Sequence, residues 1–517
     1  MKFTTILSLA CTAAAAGPTV RLRDATYAGT TTSVTTATGT ATVDKFLGIR
    51  FAAPPQRFRA PQPVAEGNTT INAVTQPPAC AQNGGSDSED CLFLNVYAPQ
   101  ISKSLATPTN LKAVMIWWHG GALQSGSIST FDGSSLAANE DVIIVTSQYR
   151  LGVFGFPGNV PGIPSDELNA GFRDQKMALR WIQENIALFG GDKSRVTIFG
   201  ESAGAVSVDS QLLSEPFDKP PFHAAILQSG GLHTFNRVAL GVGTYVTGLG
   251  TGNRADEIPF LTLARALNCS AADALACVQS KSKAQVKSAV QSVNLLFPPV
   301  DDGGKSSVGD SDAARRAGRT VKVPVLIGST FDEGNILPAS AVASRSLQQW
   351  AQMIYPRNDT ARDAVVKAYA TGSSWQIATA ADGVLLMHSD FQFACTTTYD
   401  SDLMVAAGIP TWRYVFNASL PGGRLAGHGT DVNFVFGSQA QSTKANQQLS
   451  RAMQTAWASF AKNPTAGPGW AKYSSTGATL ADLGGQGTRD GITLVDPQVV
   501  DARCPVFWDA YDPNRPR

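Results

Sequence analysis

Short apolar runs recur along the chain, each of a length that suits a strand buried on both faces. AVMIWW (113–118), DVIIVTSQYR (141–150), RVTIF (195–199), AAILQS (224–229), VPVLIGS (323–329) and TWRYVF (411–416) are the strand candidates. Continuous runs of this kind, rather than alternating ones, belong in a largely parallel sheet covered by helices. Between them, residues 174–190 carry Met177, Leu179, Trp181, Ile182 and Ile186 near helical spacing. Residues 447–461 repeat that face through Leu449, Met453, Trp457 and Phe460. Alternating strands and helices predict a doubly wound α/β fold, in which chemistry collects at the carboxyl ends of the strands. The threonine-rich stretch 30–42 predicts an early hairpin with polar turns. No internal repeat or long low-complexity linker interrupts the pattern.

Residues 1–16 stand outside it. Lys2 precedes the apolar run FTTILSLACTAAAA, and the small residues from Ala13 to Gly17 offer a signal-peptidase site. The run falls short of the roughly 20 apolar residues a membrane span requires, so it predicts secretion, and no other segment predicts a span. Of seven cysteines, Cys11 leaves with the signal, and an even set remains for an oxidising compartment. The simplest pairing is nearest-neighbour: Cys80–Cys91, Cys269–Cys277 and Cys395–Cys504. Sequons at Asn68, Asn268, Asn358 and Asn417 fit the same route as candidate glycosylation sites.

Composition narrows the partners. At 43% hydrophobic and 16% charged, the chain can bury a sizeable core. Its 41 Lys plus Arg balance 40 Asp plus Glu without a block of like charge, which argues against nucleic acid or an anionic membrane as partner. No CxxC occurs and the histidines do not cluster near the cysteines, so no zinc site is expected. Oligomeric state is not legible. The length of 517 residues would suggest about three domains as a soft prior, but a large α/β enzyme can spend it on one core.

The candidate chemistry begins at Gly200-Glu201-Ser202-Ala203-Gly204, which follows the strand-like VTIF and opens a potentially helical AVSVDSQLL. A lone G-x-S-x-G is weak evidence, but strand–turn–helix is the setting a nucleophile elbow requires. A serine hydroxyl needs a base. Of the five histidines, His428 in "LAGHGTDVNFVFG" follows the serine and sits in a glycine-flanked loop. His223, His233 and His388 read as satisfied or exposed side chains. His119-Gly120-Gly121, just past a strand, can aim backbone amides at one spot as an oxyanion hole demands, with Ala203 supplying a third. "LIGSTFDEGN" offers Asp332 and Glu333 as the acid that orients the base, and the residues alone leave the two tied.

These motifs resemble those of the type-B carboxylesterases, a family that includes cholinesterases and the larger fungal lipases; the chain looks most like its secreted fungal carboxylesterases. "FLGIRFAAPP" (46–55), "EDCLFLNVY" (89–97), "QYRLGVFGF", "NAGFRDQKMALRWIQENIALFGGD", "VTIFGESAGA", "GSTFDEGN" and "GHGTDVNFVFG" match in order across essentially the whole mature chain. The resemblance implies an α/β-hydrolase fold with a small N-terminal β-sheet, and one catalytic domain over 17–517. It implies Glu333 as the third member of a triad with Ser202 and His428, and Gly120, Gly121 and Ala203 as the oxyanion hole. It also implies the three cysteine pairs above, and supporting roles for Glu201 beside the nucleophile and Ser229 near the acid.

One departure matters. In the family the loop between the first cysteine pair is considerably longer, forming a lid in lipases and carrying a choline-binding tryptophan in cholinesterases. Here only AQNGGSDSED separates Cys80 from Cys91, with no aromatic and no apolar face. The expectation is a secreted serine hydrolase of small soluble esters, without a lid and without choline specificity. Two rivals are a triacylglycerol lipase, against which the short loop argues, and a non-catalytic binding or adhesion protein. Relatives of the latter kind usually lack a triad member, whereas this chain keeps all three.

Overall fold

The computed structural model describes residues 17–100, 111–214, 216–233, 259–418, 420, 426–438, 443–484 and 491–511; the expected secretion signal lies outside them. Eleven strands form one sheet: β1 (Thr30–Thr36), β2 (Gly39–Arg50), β3 (Phe93–Pro99), β4 (Lys112–Trp118), β5 (Ile143–Ser147), β6 (Gly191–Glu201), β7 (Ala224–Gln228), β8 (Val325–Thr330), β9 (Thr411–Phe416), β10 (Leu480–Leu483) and β11 (Ile492–Val495). Their order across the sheet is β11-β10-β9-β8-β7-β6-β4-β5-β3-β2-β1. Strands β10 through β5 run parallel, and antiparallel strands close both edges. The apolar pattern predicts a doubly wound α/β fold, and this is the α/β-hydrolase form of it that the resemblance implies. A separate sheet of three strands, Thr19–Arg21, Ala25–Ala28 and Thr69–Asn72, is the expected small N-terminal one.

The six predicted runs become the six central strands. Along β4, Val114, Ile116 and Trp118 enter the core on one face, while Ala113, Met115 and Trp117 enter the core on the other. Both faces are covered, which is why these strands show no polar alternation. Fully burying each large apolar side chain stabilises the fold by ~1.5–3 kcal/mol. Strand β3 did not stand out because Asn95 interrupts its apolar run. That amide is buried, donates to Gln76 Oε1 at 2.8 Å and accepts the Gly48 N–H at 2.9 Å, so its burial is compensated. The threonine-rich stretch forms the predicted hairpin, with Thr36 opposite Gly39.

Helix α1 (Ala170–Asn185) starts earlier than the apolar pattern suggests, because Asn169 turns the chain in with φ 54°. Helix α2 (Ala203–Leu212) follows β6 directly, and α3 (Lys444–Lys462) buries Leu449, Met453, Trp457 and Phe460 as expected. The three disulfides are Cys80–Cys91, Cys269–Cys277 and Cys395–Cys504. Among the described residues, no single helix is long and apolar enough to cross a membrane.

Candidate active site

Strand β6 ends at Glu201, and Ser202 makes the turn into α2 with φ 55° and ψ −122°. A non-glycine residue holds this region only at a cost of about 1–3 kcal/mol. The Ser202 N–H donates to Gln228 O at 2.8 Å, which pins the turn to β7. The flanking glycines are spatial requirements. A Cβ on Gly204 would lie 2.0 Å from Trp118 O, and one on Gly200 would lie 2.5 Å from the Gly204 carbonyl. The strain, the tight glycines and the helix N-terminus beneath lift the Ser202 hydroxyl to the carboxyl edge of the sheet.

The Gly120–Gly121 turn stands against this elbow. A Cβ on Gly120 would lie 3.0 Å from Ser202 Cβ and 2.5 Å from Glu201 Oε2. Among the described residues, the amides of Gly120, Gly121 and Ala203 donate to no protein group. Ala203, as the first residue of α2, has no acceptor within its own helix. The three sequence-predicted donors therefore remain available beside the serine.

His428 and Glu333 meet. His428 Nδ1 lies 2.5 Å from Glu333 Oε2, and the Thr330 N–H donates to the other oxygen of Glu333 at 2.7 Å. Glu333 is fully buried. Asp332, tied with it in the residues alone, points elsewhere: its side chain takes the Asn335 amide, and its N–H donates to Ala426 O at 3.1 Å. Phe393, from the π-helical turn Asp390–Ala394, packs against the His428 ring with centroids 4.8 Å apart.

The second ring nitrogen does not meet the serine. Nε2 of His428 lies 3.1 Å from Glu201 Oε1 without hydrogen-bond alignment, and Ser202 Oγ has no hydrogen bond among the described residues. Burial alone would lower the His428 pKa, but the Glu201 and Glu333 carboxylates outweigh it and raise it to about 9. Burial pushes the Glu201 carboxyl up to about 7, against the pull of His428.

A third acid in this group, Asp431, escaped the sequence reading although it lies three residues beyond His428. It is buried, accepts from Gln228 Nε2 at 2.9 Å and Tyr414 OH at 2.8 Å, and burial pushes its pKa up to about 6. The available signal was an acid inside the histidine loop itself. Ser229, predicted near the acid, is buried at the end of β7 with φ 55°, and its N–H donates to Gly328 O at 2.8 Å.

The other histidines lie apart from this geometry or support it from behind. His119 is buried, with Nδ1 2.8 Å from Gly120 O and its ring stacked on Tyr149 at 4.6 Å; burial lowers its pKa to about 4. A neutral ring there braces the glycine turn. His223 is exposed, and His388 is buried in the helix Ala380–Ser389. His233 Nδ1 lies 2.9 Å from Asp312 Oδ1. With Asp400 these two form the one group with metal-ligand spacing among the described residues. The Arg315 guanidinium already supplies positive charge there, pairing with Asp209 and lying 3.5 Å from Asp400.

A cavity of about 480 Å³ opens beside Glu201, Gly120 and Gly121, and residues of the Cys80–Cys91 loop form one wall. That loop is tied down. Asp87 accepts the Gln82 N–H at 2.8 Å and the ammonium groups of Lys283 and Lys287 at 2.6 Å each. Arg57 grips Glu89 at 2.6 and 2.5 Å, and Arg50 grips Asp90 at 2.6 and 2.9 Å.

Comparison with known proteins identifies the family. Residues 16–493 match the model of the Carboxylesterase family. Carboxylesterase 5A of Felis catus is 32% identical, over 84% of this chain and 85% of its own. The para-nitrobenzyl esterase of Bacillus subtilis (strain 168) is 32% identical over 83% and 89%. The cocaine esterase of Oryctolagus cuniculus is 33% identical over 92% of each chain. A match to the family model over nearly the whole chain, and relatives above 30% identity across most of it, show that the chain belongs to the carboxylesterase family.

Proposed function

We propose that this carboxylic-ester hydrolase works through an acyl-enzyme on Ser202, as a secreted, glycosylated enzyme whose residues 17–517 form one catalytic domain. Ser202 Oγ attacks the ester carbonyl while His428 Nε2 takes its proton, then returns it to the departing alcohol oxygen. Glu333 fixes the tautomer through Nδ1 and stabilises the imidazolium. The Gly120, Gly121 and Ala203 amides hold the oxyanion, where losing one donor typically costs about 10²–10³ in turnover. A water activated by the same histidine then hydrolyses the acyl-enzyme. The Ser202–His428 hydrogen bond forms when substrate displaces the Glu201 contact; such bonds are often long before substrate binds.

The 2.5 Å contact between His428 Nδ1 and Glu333 Oε2 carries this reading, because a buried carboxylate on that nitrogen leaves the other free to act as base. The tethered Cys80–Cys91 loop supports an open site for soluble small-molecule esters, since a loop anchored through Asp87, Glu89 and Asp90 cannot swing as a hinged lid. Labelling with a fluorophosphonate, followed by peptide mass spectrometry, tests the nucleophile. The adduct is expected on Ser202, and an adduct on another residue with hydrolysis abolished would overturn the assignment.

A further inference from the structure

We propose that Asn83 is a self-modification site: in the folded enzyme the Gly84 nitrogen attacks its side chain, and the amide becomes a mixture of aspartate and isoaspartate beside the Glu201 cavity. The Gly84 nitrogen forms a bond to Asn83 Cγ while the bond from Cγ to the side-chain nitrogen breaks. The Gly84 amide proton goes with that nitrogen, ammonia leaves, and a five-membered succinimide remains. One water then opens the ring at either carbonyl. Addition at Cγ gives aspartate with the original main chain. Addition at the main-chain carbonyl gives isoaspartate, whose main chain runs through Cγ. Neither route oxidises or reduces any group.

Open access to the glycine nitrogen decides where this ring can close. Asn83–Gly84 is the one Asn–Gly pair in the sequence. Both residues are exposed, and among the described residues neither the Asn83 side chain nor the Gly84 N–H has a hydrogen-bond partner. Gly84 holds φ 83°, with no atom within 4 Å of where a Cβ would stand, so the backbone there is uncrowded.

Asp–Gly pairs close the same ring by losing water, and the fold engages the three within the described residues. Asp132 accepts the Ser134 N–H at 2.8 Å and pairs with Lys45 at 2.6 Å. Asp302 accepts the Ser306 and Ser307 N–H groups at 2.9 and 3.0 Å, and the Gly303 N–H donates to Asp301 Oδ1 at 2.9 Å. Asp382 accepts the Thr379 N–H at 3.0 Å, and the Gly383 N–H donates to Thr379 O at 3.1 Å.

The Cys80–Cys91 loop is anchored on both sides of Asn83–Gly84 but not at the pair itself. The Gln82 amide accepts the Gly126 N–H at 2.9 Å and donates to Gly126 O at 2.8 Å, and Asp87 holds Lys283 and Lys287. Isoaspartate lengthens the main chain by an atom. With Gln82 and Asp87 fixed, that length is taken up at Gly84, Gly85 and Ser86, which line the cavity. Either product also sets a carboxylate next to a wall where Glu201 is the one acidic side chain among the described residues.

The test incubates the purified full-length enzyme in mildly alkaline buffer, folded and denatured in parallel. Peptide mass spectrometry with electron-transfer fragmentation then tells aspartate from isoaspartate. In the folded enzyme the Asn83 amide should be lost at a rate within a few-fold of the denatured chain, yielding both products. Asp132, Asp302 and Asp382 should give isoaspartate only in the denatured chain. Asn83→Gln, whose ring would need six members, should keep its amide over the same interval. A folded-state amide at Asn83 that persists while the denatured control converts, or aspartate without isoaspartate, overturns the proposal.

Discussion

Oε1 of Glu201 lies 3.1 Å from Nε2 of His428, so the imidazole stands between two carboxylates, with Glu333 on its other nitrogen. The two acids raise the His428 pKa to about 9 despite burial. A base must be neutral to accept the serine proton, so the acid limb of the kcat/KM profile should lie above the ordinary histidine range. Replacing Glu201 by Gln removes one of the two charges and lowers the His428 pKa. The limb should then move to lower pH by about 1–3 units. A profile unmoved by Glu201→Gln would show that the carboxylate does not act on the base.

In the proposed mechanism Glu333 acts differently, because it sets the tautomer of His428 as well as its charge. Glu333→Gln keeps the shape but can offer an N–H to Nδ1, which leaves the wrong nitrogen protonated. Turnover should fall by on the order of 10⁴ with little change in KM, as in other triads. Asp332→Asn, altering a side chain that pairs with Asn335, should retain most activity. The reverse ranking of the two variants in a steady-state ester assay would reassign the acid.

The anchored loop makes a kinetic prediction. With Asp87 holding Lys283 and Lys287, the Cys80–Cys91 loop is not free to open as a lid at an oil–water surface. The rate against tributyrin concentration should saturate smoothly through the solubility limit. A jump at the onset of emulsion would show that a moving cover acts on this site.

Stability should depend on buried ion pairs away from the chemistry. Arg150 and Asp174 are both almost fully buried, bonded through Nε and Nη2 at 2.8 and 2.7 Å, and Arg150 also donates to Gln56 O and Arg59 O. Asp174→Ala leaves the guanidinium unpaired and should cost about 3–5 kcal/mol, measured by urea denaturation. Turnover per folded molecule should be unchanged, since neither residue touches the site.

Much of this was legible from the chain because the relevant physics is local. The six central strands announce themselves as unbroken apolar runs, since both sheet faces are covered. The elbow is legible because Gly200 and Gly204 fill positions where a Cβ would strike backbone. What was not legible depends on long-range approach. From the residues alone Asp332 and Glu333 tie; the resemblance points to Glu333, and the packing of the 426–430 loop is what brings its carboxylate to His428. Strand β3 hides behind Asn95, whose burial makes sense only once Gln76 and the Gly48 amide are in place. Glu201 could be placed beside the serine from sequence, but its contact with His428 Nε2 could not.

The central claim is that Ser202 is the nucleophile and that its alkoxide is generated by His428. The most direct measurement is the hydrolysis of p-nitrophenyl butyrate by the Ser202→Ala protein, checked for native folding by circular dichroism. Turnover should fall by on the order of 10⁴–10⁶. Hydrolysis at the native rate by that variant would contradict it.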